Sequence, residues 1–193
     1  MLFGIANSLL IPDIILLIVF FIRALVLLGS TYNQFMVRRR NNRRLSTVIK
    51  ELQPTSIGSL RNLLPKKHDS LFTEYLADIL DHPADEAYTD YLITHYETEV
   101  AKDVNLSRLL TKLGPVLGLI GTLISMSPAL VGLSTGDISG MAYNMQVVFS
   151  ATVVGLLISA VGLFTLQLKQ RWMTKDANSL DFVASVINKR MEA

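Results

Sequence analysis

Apolar residues are concentrated in three long stretches of the chain. One lies near its beginning, Leu9–Leu28, and two uncharged runs lie almost back to back, Leu113–Gly136 and Ile138–Leu168. Each stretch is long enough to cross a hydrocarbon core of roughly 30 Å, which takes about 20 helical residues. The pattern therefore predicts an all-α integral membrane protein with three transmembrane helices.

Small and hydroxyl-bearing residues recur at helical spacing inside the two neighbouring runs. Alternating steps of four and three place each set on one stripe of its helix. The stripe of the first run comprises Thr111, Pro115, Gly118, Thr122 and Ser125, and that of the second comprises Thr152, Gly155, Ser159 and Gly162. Such stripes allow helices to pack closely, and their hydroxyls can also line a narrow polar path. Packing alone accounts for the spacing, but a threonine near the middle of each run favours a functional lumen.

The distribution of positive charge predicts the topology. Five arginines follow the first stretch, namely Arg38, Arg39, Arg40, Arg43 and Arg44. By the positive-inside rule this cluster stays in the cytoplasm, which places the N-terminus outside. The predicted organisation is a short extracytoplasmic N-terminus (1–8), transmembrane helices at 9–31, 106–134 and 141–170, a helical cytoplasmic domain (32–105), an extracytoplasmic loop (135–140) and a cytoplasmic C-terminal helix (171–193).

The predicted cytoplasmic domain contains amphipathic helices. Short helices are expected at Leu45–Leu52 and Ser70–Leu80, and a longer one is expected to run unbroken into the second span. Apolar residues recur every four positions along the long helix, at Tyr88, Leu92, Tyr96, Val100 and Val104, and at helical spacing in the tail, at Leu180, Val183, Ile187 and Met191. The long helix would extend about 70 Å at 1.5 Å per residue. Because its apolar stripe needs a partner, we expect a homo-oligomer in which several copies pack side by side.

Ionisable residues inside membrane spans are functional candidates by default. The second and third spans contain no Asp, Glu, Lys, Arg or His between Leu113 and Gly136 or between Ile138 and Leu168. The first span carries Asp13 and Arg23, which lie too far apart along one helix to pair, at about 15 Å. We interpret Asp13 as a carboxylate near the outer membrane boundary and Arg23 as a deeper residue that reaches headgroups or a neighbouring subunit.

Composition and motifs exclude several classes of protein. Half of the 193 residues are hydrophobic, and the net charge of +2 is too small to favour nucleic-acid binding. The chain has no cysteine, which excludes disulfides and thiolate metal sites. No catalytic constellation, metal-ligand spacing or glycine-rich phosphate loop is recognisable. We expect neither an enzyme nor a protein with a metal or another cofactor, and we expect contacts with membrane lipids.

Two segments resemble the MotA/TolQ/ExbB proton channel family. Leu109–Met126, LLTKLGPVLGLIGTLISM, resembles its second-helix signature, in which a proline is followed by Gly-Leu-x-Gly-Thr. Phe149–Leu156, FSATVVGL, resembles its third-helix motif, an Ala-Thr followed after two residues by Gly-Leu. The sequence departs from many ExbB- and TolQ-like members at Val147, where they have a glutamate, and around Val161 and Gly162, where a proline is often found.

The resemblance implies an architecture and a mechanism. It implies an inner-membrane homopentamer around a dimer of a single-span partner resembling MotB, TolR or ExbD, whose intramembrane aspartate carries the proton. Pore-facing roles fall to Thr122 and Thr152, with Ser125 and Ser159 on the same stripes. Roles in shaping the helices fall to Pro115, Gly118, Gly121 and Gly155. The predicted function is the channel-forming subunit of a proton-driven membrane motor that works on an envelope or protein-transport component.

Two other functions remain open from the sequence. A non-conducting membrane scaffold would use the small-residue stripes for helix packing only. A self-sufficient ion channel would conduct without a partner. The second and third spans supply no titrating group of their own, which favours the two-component motor over the self-sufficient channel.

Overall fold

The structure, a computed structural model, describes residues 2–50, 61, 70–82 and 86–191. The helices of this part of the chain are α1 (Leu2–Lys50), α2 (Leu71–Asp81), α3 (Glu86–Thr135) and α4 (Ile138–Met191), and no strand occurs in it. Three of these helices, α1, α3 and α4, contain stretches long and apolar enough to cross a membrane. The predictions of an all-helical fold and of three candidate spans are confirmed.

Helix α1 is longer than its predicted transmembrane part. It continues without a break to Lys50, so the short helix expected at Leu45–Leu52 is the end of α1 as far as residue 50, and residues 51 and 52 lie outside the described part. Helix α2 agrees closely with the helix predicted over Ser70–Leu80. The Ser70 hydroxyl caps it by accepting a hydrogen bond from the Thr73 backbone N–H.

Helices α3 and α4 form a tight antiparallel hairpin. Helix α3 runs unbroken over 50 residues, as predicted, and ends at Thr135. Gly136 follows with a φ of 77°, a left-handed conformation that glycine adopts without strain. The Asp137 carboxylate then accepts a hydrogen bond from the Gly140 N–H at 2.9 Å, which caps the first turn of α4. The chain therefore reverses within two residues.

The chain divides into two compact units. One, which we call the span unit, comprises Met1–Thr31 and Asn105–Gln167; the other, the head unit, comprises Tyr32–Val104 and Leu168–Ala193. The buried core of the span unit joins α1, α3 and α4 through Leu17, Ala24, Leu27, Leu110, Leu117, Ala151 and Ile158. All of these side chains are aliphatic, so burial and close packing hold this unit together.

The head unit has its own apolar core. It joins α2, the first part of α3 and the tail of α4, with Leu76, Tyr96, Leu180 and Val183 fully or almost fully buried at its centre. The stripe of α3 and the stripe of the tail as far as Ile187 therefore cover each other within one chain, and the side chain of Met191 lies outside the described part. This corrects the argument that the stripe of α3 needs neighbouring copies, because α2 and the tail already provide its partner.

A buried ion pair adds polar contacts to the head unit. Asp176 is nearly inaccessible to solvent and accepts hydrogen bonds from Arg38 and from the Tyr96 hydroxyl, the latter at 3.1 Å. The Arg38 guanidinium also lies 5.2 Å from the centre of the Trp172 ring. Burial, together with the negative charge of Asp176, raises the pKa of Tyr96, so this phenol remains a neutral donor.

Candidate functional site

Helices α3 and α4 approach each other closely at three glycines. A Cβ atom placed on Gly155 would lie 2.6 Å from the carbonyl oxygen of Gly114 and 2.9 Å from the Cα of Gly118. Both distances are shorter than real Cβ contacts, so only glycine allows this approach of the two backbones. Gly114 and Gly118 are one turn apart on α3, the spacing that permits close helix packing in membranes.

The two predicted stripes meet along this contact. A Cβ on Gly118 would lie 3.5 Å from the Cα of Thr152, and one on Gly162 would lie 2.6 Å from the backbone nitrogen of Thr111. Thr122 follows Gly118 by one helical turn. The structure thus brings both motif threonines to the same part of the α3–α4 pair.

The hydroxyls of these threonines are bonded within their own helices. Thr122 donates to the carbonyl of Leu119 at 2.7 Å, and Thr152 donates to the carbonyl of Val148 at 3.1 Å. Both side chains are half-buried, whereas Ser125 on the same stripe is fully buried. A hydroxyl whose hydrogen is engaged in this way still offers oxygen lone pairs as acceptors.

Pro115 and Ser159 are connected through one backbone carbonyl. A proline inside a helix has no N–H, so Pro115 leaves the carbonyl of Thr111, four residues earlier, without its usual partner. The Ser159 hydroxyl on α4 donates to that same carbonyl at 2.9 Å. In a membrane, where water cannot replace a lost bond, such a side-chain donor makes an interior proline tolerable. The predicted ion-pathway serine thus also has a packing role.

We expect substitutions of Pro115 and Ser159 to have non-additive effects on the free energy of unfolding. Ser159→Ala should cost about 0.5–1.5 kcal/mol more in the native chain than in a Pro115→Ala background. The reason is that alanine at 115 restores an N–H, which then occupies the Thr111 carbonyl. The measurement is a double-mutant cycle of unfolding free energies in mixed detergent micelles.

The half-buried Ser179, which donates to the carbonyl of Lys175 on its own helix, provides the control. Ser179→Ala should show no coupling to Pro115→Ala. Equal costs of Ser159→Ala in both backgrounds would contradict this assignment.

Asp13 lies deeper in the span unit than its sequence position suggested. Its side chain is only 5% exposed, and its Oδ2 would lie 2.9 Å from a Cβ placed on Gly121. The same Cβ position is 2.9 Å from Ala151. Since Gly121 and Ala151 fall well inside the uncharged runs of α3 and α4, Asp13 contacts the interior of the bundle. The interpretation of Asp13 as a carboxylate at the outer boundary is wrong.

The depth of Arg23 in the span unit also differs from the depth expected from the sequence. It lies ten residues beyond Asp13 on α1, about 15 Å further along the helix, and its side chain is exposed. Its neighbour Ala24 belongs to the same core as Leu110, which lies near the Lys112 end of the uncharged run of α3. Arg23 is therefore closer to a boundary of the apolar region than Asp13 is, the reverse of the order expected from the sequence.

A family model described as the MotA/TolQ/ExbB proton channel family matches residues 66–181, more than half of the chain. The chain belongs to the MotA/TolQ/ExbB proton channel family. The resemblance drawn from the two motifs is thereby confirmed. A search of curated proteins found no match.

Membership in the MotA/TolQ/ExbB family, together with three apolar helices, makes this a multi-pass membrane protein of the ion-channel, stator type. The family is one of proton channels, not of enzymes. The matched region contains Thr122, Thr152 and the three contact glycines. It does not contain α1, so Asp13 and its burial are features that the family match leaves unassigned.

Sequence reasoning missed Gly114 as a contact residue. The predicted stripe of α3 includes Thr111, Pro115 and Gly118, and Gly114 lies beside that stripe. The signal that would have identified it is the Gly-x-x-x-Gly spacing of Gly114 and Gly118.

Proposed function

We propose that this chain is the channel-forming subunit of a membrane motor driven by the proton-motive force. It would couple ion flow to mechanical work on an envelope or transport component through a single-span partner. The observation that carries the proposal is the placement of Thr122 and Thr152, whose half-buried hydroxyls lie beside the glycine contact of α3 and α4. Over their uncharged runs, these two helices contain no Asp, Glu, Lys, Arg or His.

The state of these hydroxyls favours one protonation state of a partner. With their hydrogens bonded to Leu119 and Val148, the threonine oxygens present acceptor lone pairs. A protonated carboxyl group is a donor and complements such acceptors, whereas a carboxylate does not. The proposed role of Thr122 and Thr152 is therefore to bind the partner's aspartate in its protonated form.

The assembly is part of the proposal. We propose a homo-oligomer, a pentamer, that surrounds a partner of the ExbD, TolR or MotB type with an intramembrane aspartate. Large apolar side chains remain exposed on all three span helices, among them Val19, Leu123 and Leu156. Lipid and neighbouring helices would cover these surfaces. The proposed location is the inner membrane, with the N-terminus outside and the C-terminus in the cytoplasm.

Substitution of the two threonines tests the function. Thr152→Val and Thr122→Val keep the shape of the side chain and remove its polar oxygen. Each should reduce ion-coupled function roughly two- to tenfold, the effect of losing a hydrogen bond to a neutral carboxyl group worth about 0.5–1.5 kcal/mol. The measurement is proton uptake by proteoliposomes containing the chain and its partner, with native mass spectrometry to show that assembly is intact.

Two other threonines provide matched controls. Thr135 at the end of α3 and Thr174 in the tail of α4 also donate to carbonyls of their own helices but are exposed. Thr135→Val and Thr174→Val should leave proton uptake unchanged. Undiminished uptake in both Thr122→Val and Thr152→Val would argue against the pore.

A non-conducting scaffold is the second candidate. The observation that favours it is that Gly118, Gly155 and Ser159, all stripe residues, are engaged in packing α3 against α4. A scaffold would assemble normally, and neither threonine variant would alter any ion flux.

A further inference from the structure

Asp13 is a buried carboxylate with an oxygen that no donor satisfies. Among the described residues, its Oδ2 is inaccessible to solvent and has no hydrogen-bond partner. Three other carboxylates have hydrogen-bond partners: Asp103 contacts Lys169, Asp137 accepts from a backbone N–H, and Asp176 contacts Arg38. Asp13 therefore requires an explanation that these residues do not.

The helices packed around Asp13 provide no counter-charge at its level. Along α3 and α4, the nearest charged residues are at the ends of the uncharged runs, and along α1 the nearest is about 15 Å away. The charged residues are Lys112, Asp137, Lys169 and Arg23. Helix α4 also carries one titratable but uncharged group, the phenol of Tyr143. An ionised carboxylate without a partner is expensive in such surroundings, and protonation removes the charge.

The fold leaves space for this side chain. Asp13 Oδ2 occupies the position beside Gly121 that any larger residue would fill, since a Cβ there would be 2.9 Å away. Ala151 on α4 is also a small residue. The carboxyl group is thus held between a glycine and an alanine from two different helices, in a pocket of matching size.

A cavity of about 350 Å³ between α1 and α4 lies next to this pocket. It shares Leu17 and Ala151 with the surroundings of Asp13. Its polar lining comes from Tyr143, Gln146 and Ser150, which follow each other at steps of three and four along one face of α4. These residues lead from the Asp137 end of α4 towards Ala151 and could bind water, whereas the rest of the lining, including Ile14, Ile18 and Val154, is apolar.

Towards the Lys112 end of α3, apolar side chains pack beyond Asp13. From the level of Asp13 towards the Lys112 end of α3, the core consists of Leu17, Leu117, Leu110 and Ile158, all buried. The buried hydroxyls of Ser107 and Thr165, nearer the Lys112 end, are bonded to each other at 3.2 Å. Water that reaches Asp13 along Tyr143, Gln146 and Ser150 would therefore enter from the Asp137 side.

We propose that Asp13 is a proton-binding site inside the membrane that exchanges its proton with water entering the adjoining cavity from the Asp137 side. Proton uptake forms one O–H bond on the carboxylate and removes its charge, and release reverses this step. The site is separate from the partner's aspartate and lies in a helix outside the family match. It goes beyond the proposed motor function and does not depend on it.

Infrared spectroscopy of the purified full-length chain tests the site directly. A protonated carboxyl group has a carbonyl stretching band that a carboxylate lacks. Above the pH at which exposed carboxyl groups ionise, we expect a band of this kind in the native chain that decreases as the pH is raised further, is absent in Asp13→Asn and persists in Asp13→Glu. An identical set of spectra for the native chain and Asp13→Asn at every pH would overturn the proposal.

Carbodiimide labelling provides an independent measurement, because dicyclohexylcarbodiimide reacts with protonated carboxyl groups in apolar surroundings. Peptide mapping should find Asp13 labelled several-fold more than the exposed Asp137, with labelling that decreases as the pH is raised. Labelling of Asp13 that does not change with pH would contradict a titrating site.

The access route is tested in the same chain, which has no natural cysteine. Gln146→Cys and Ser150→Cys should react with a water-soluble thiol reagent, whereas Leu156→Cys, exposed on another face of α4, should be shielded by detergent or lipid. Equal reactivity at all three positions would overturn the one-sided route. None of these measurements requires the partner, so loss of motor function and loss of the proton site are distinguishable.

Discussion

Replacing Gly155 with valine is expected to disrupt the packing of α3 against α4 strongly. The added side chain would begin 2.6 Å from the Gly114 carbonyl oxygen and 2.9 Å from the Gly118 Cα. Both are backbone atoms, so no rotamer change relieves the overlap and one helix must move. The cost should exceed about 3 kcal/mol, the usual upper value for overpacking that side chains can absorb.

Unfolding of the purified chain, followed by circular dichroism during titration with a denaturing detergent, measures this effect. Gly29 on α1 is the matched control, because a Cβ there would meet nothing within 4 Å. Gly29→Val should change the unfolding free energy by less than about 1 kcal/mol, the scale of helix propensity differences. An unfolding transition of Gly155→Val that coincides with that of the native chain would contradict the close backbone contact.

The sequence predicts the stripes but not the pairing within them. Spacing by three and four identifies the side of a helix on which Gly118 and Gly155 lie, because that depends only on helix geometry. Which residue faces which depends on the position of the turn, set by Gly136 and Asp137, and on the resulting alignment of the two helices. The Ser159 bond to the Thr111 carbonyl follows from this alignment and was not predictable from spacing alone.

The error on Asp13 has a similar origin. Counting along an apolar stretch gives a distance from its end, and Asp13 lies near the beginning of the first one. The structure shows that α1 begins at Leu2, so more helix precedes Asp13 than the apolar stretch indicated. The rotation of α1 then turns this residue towards Gly121 and Ala151. Neither the start of a helix nor its rotation can be read from hydropathy alone.

The apolar stripe of α3 in the head unit shows a different limit of prediction from sequence periodicity. Periodicity at Leu92, Tyr96 and Val100 correctly predicts a buried helix face. It does not say whether the covering surface comes from the same chain or from another copy. Here α2 and the tail cover it, because the tail returns to the head unit after the third span. Support for the oligomer therefore rests on the family and on the exposed span surfaces.

Proteoliposomes containing this chain alone are expected to hold a pH gradient about as well as empty ones. The uncharged runs of α3 and α4 contain no Asp, Glu, Lys, Arg or His. Asp13 adds a titratable group, but buried Leu17, Leu117 and Leu110 separate it from the Lys112 end. A proton bound there returns to the side from which it came, since coupled transfer needs a carboxyl group that reaches both sides.

Flux should appear when a single-span partner with an intramembrane aspartate is incorporated with the chain, and it should disappear when that aspartate is replaced by asparagine. A fluorescent pH indicator inside the vesicles measures the decay of the gradient in each case. Rapid decay with the chain alone would contradict the two-component motor and favour a self-sufficient channel. In that event, Asp13→Asn would decide the route: restored retention of the gradient would identify Asp13 as the proton carrier, because α3 and α4 supply no other carboxyl group between residues 113 and 136 or between 138 and 168.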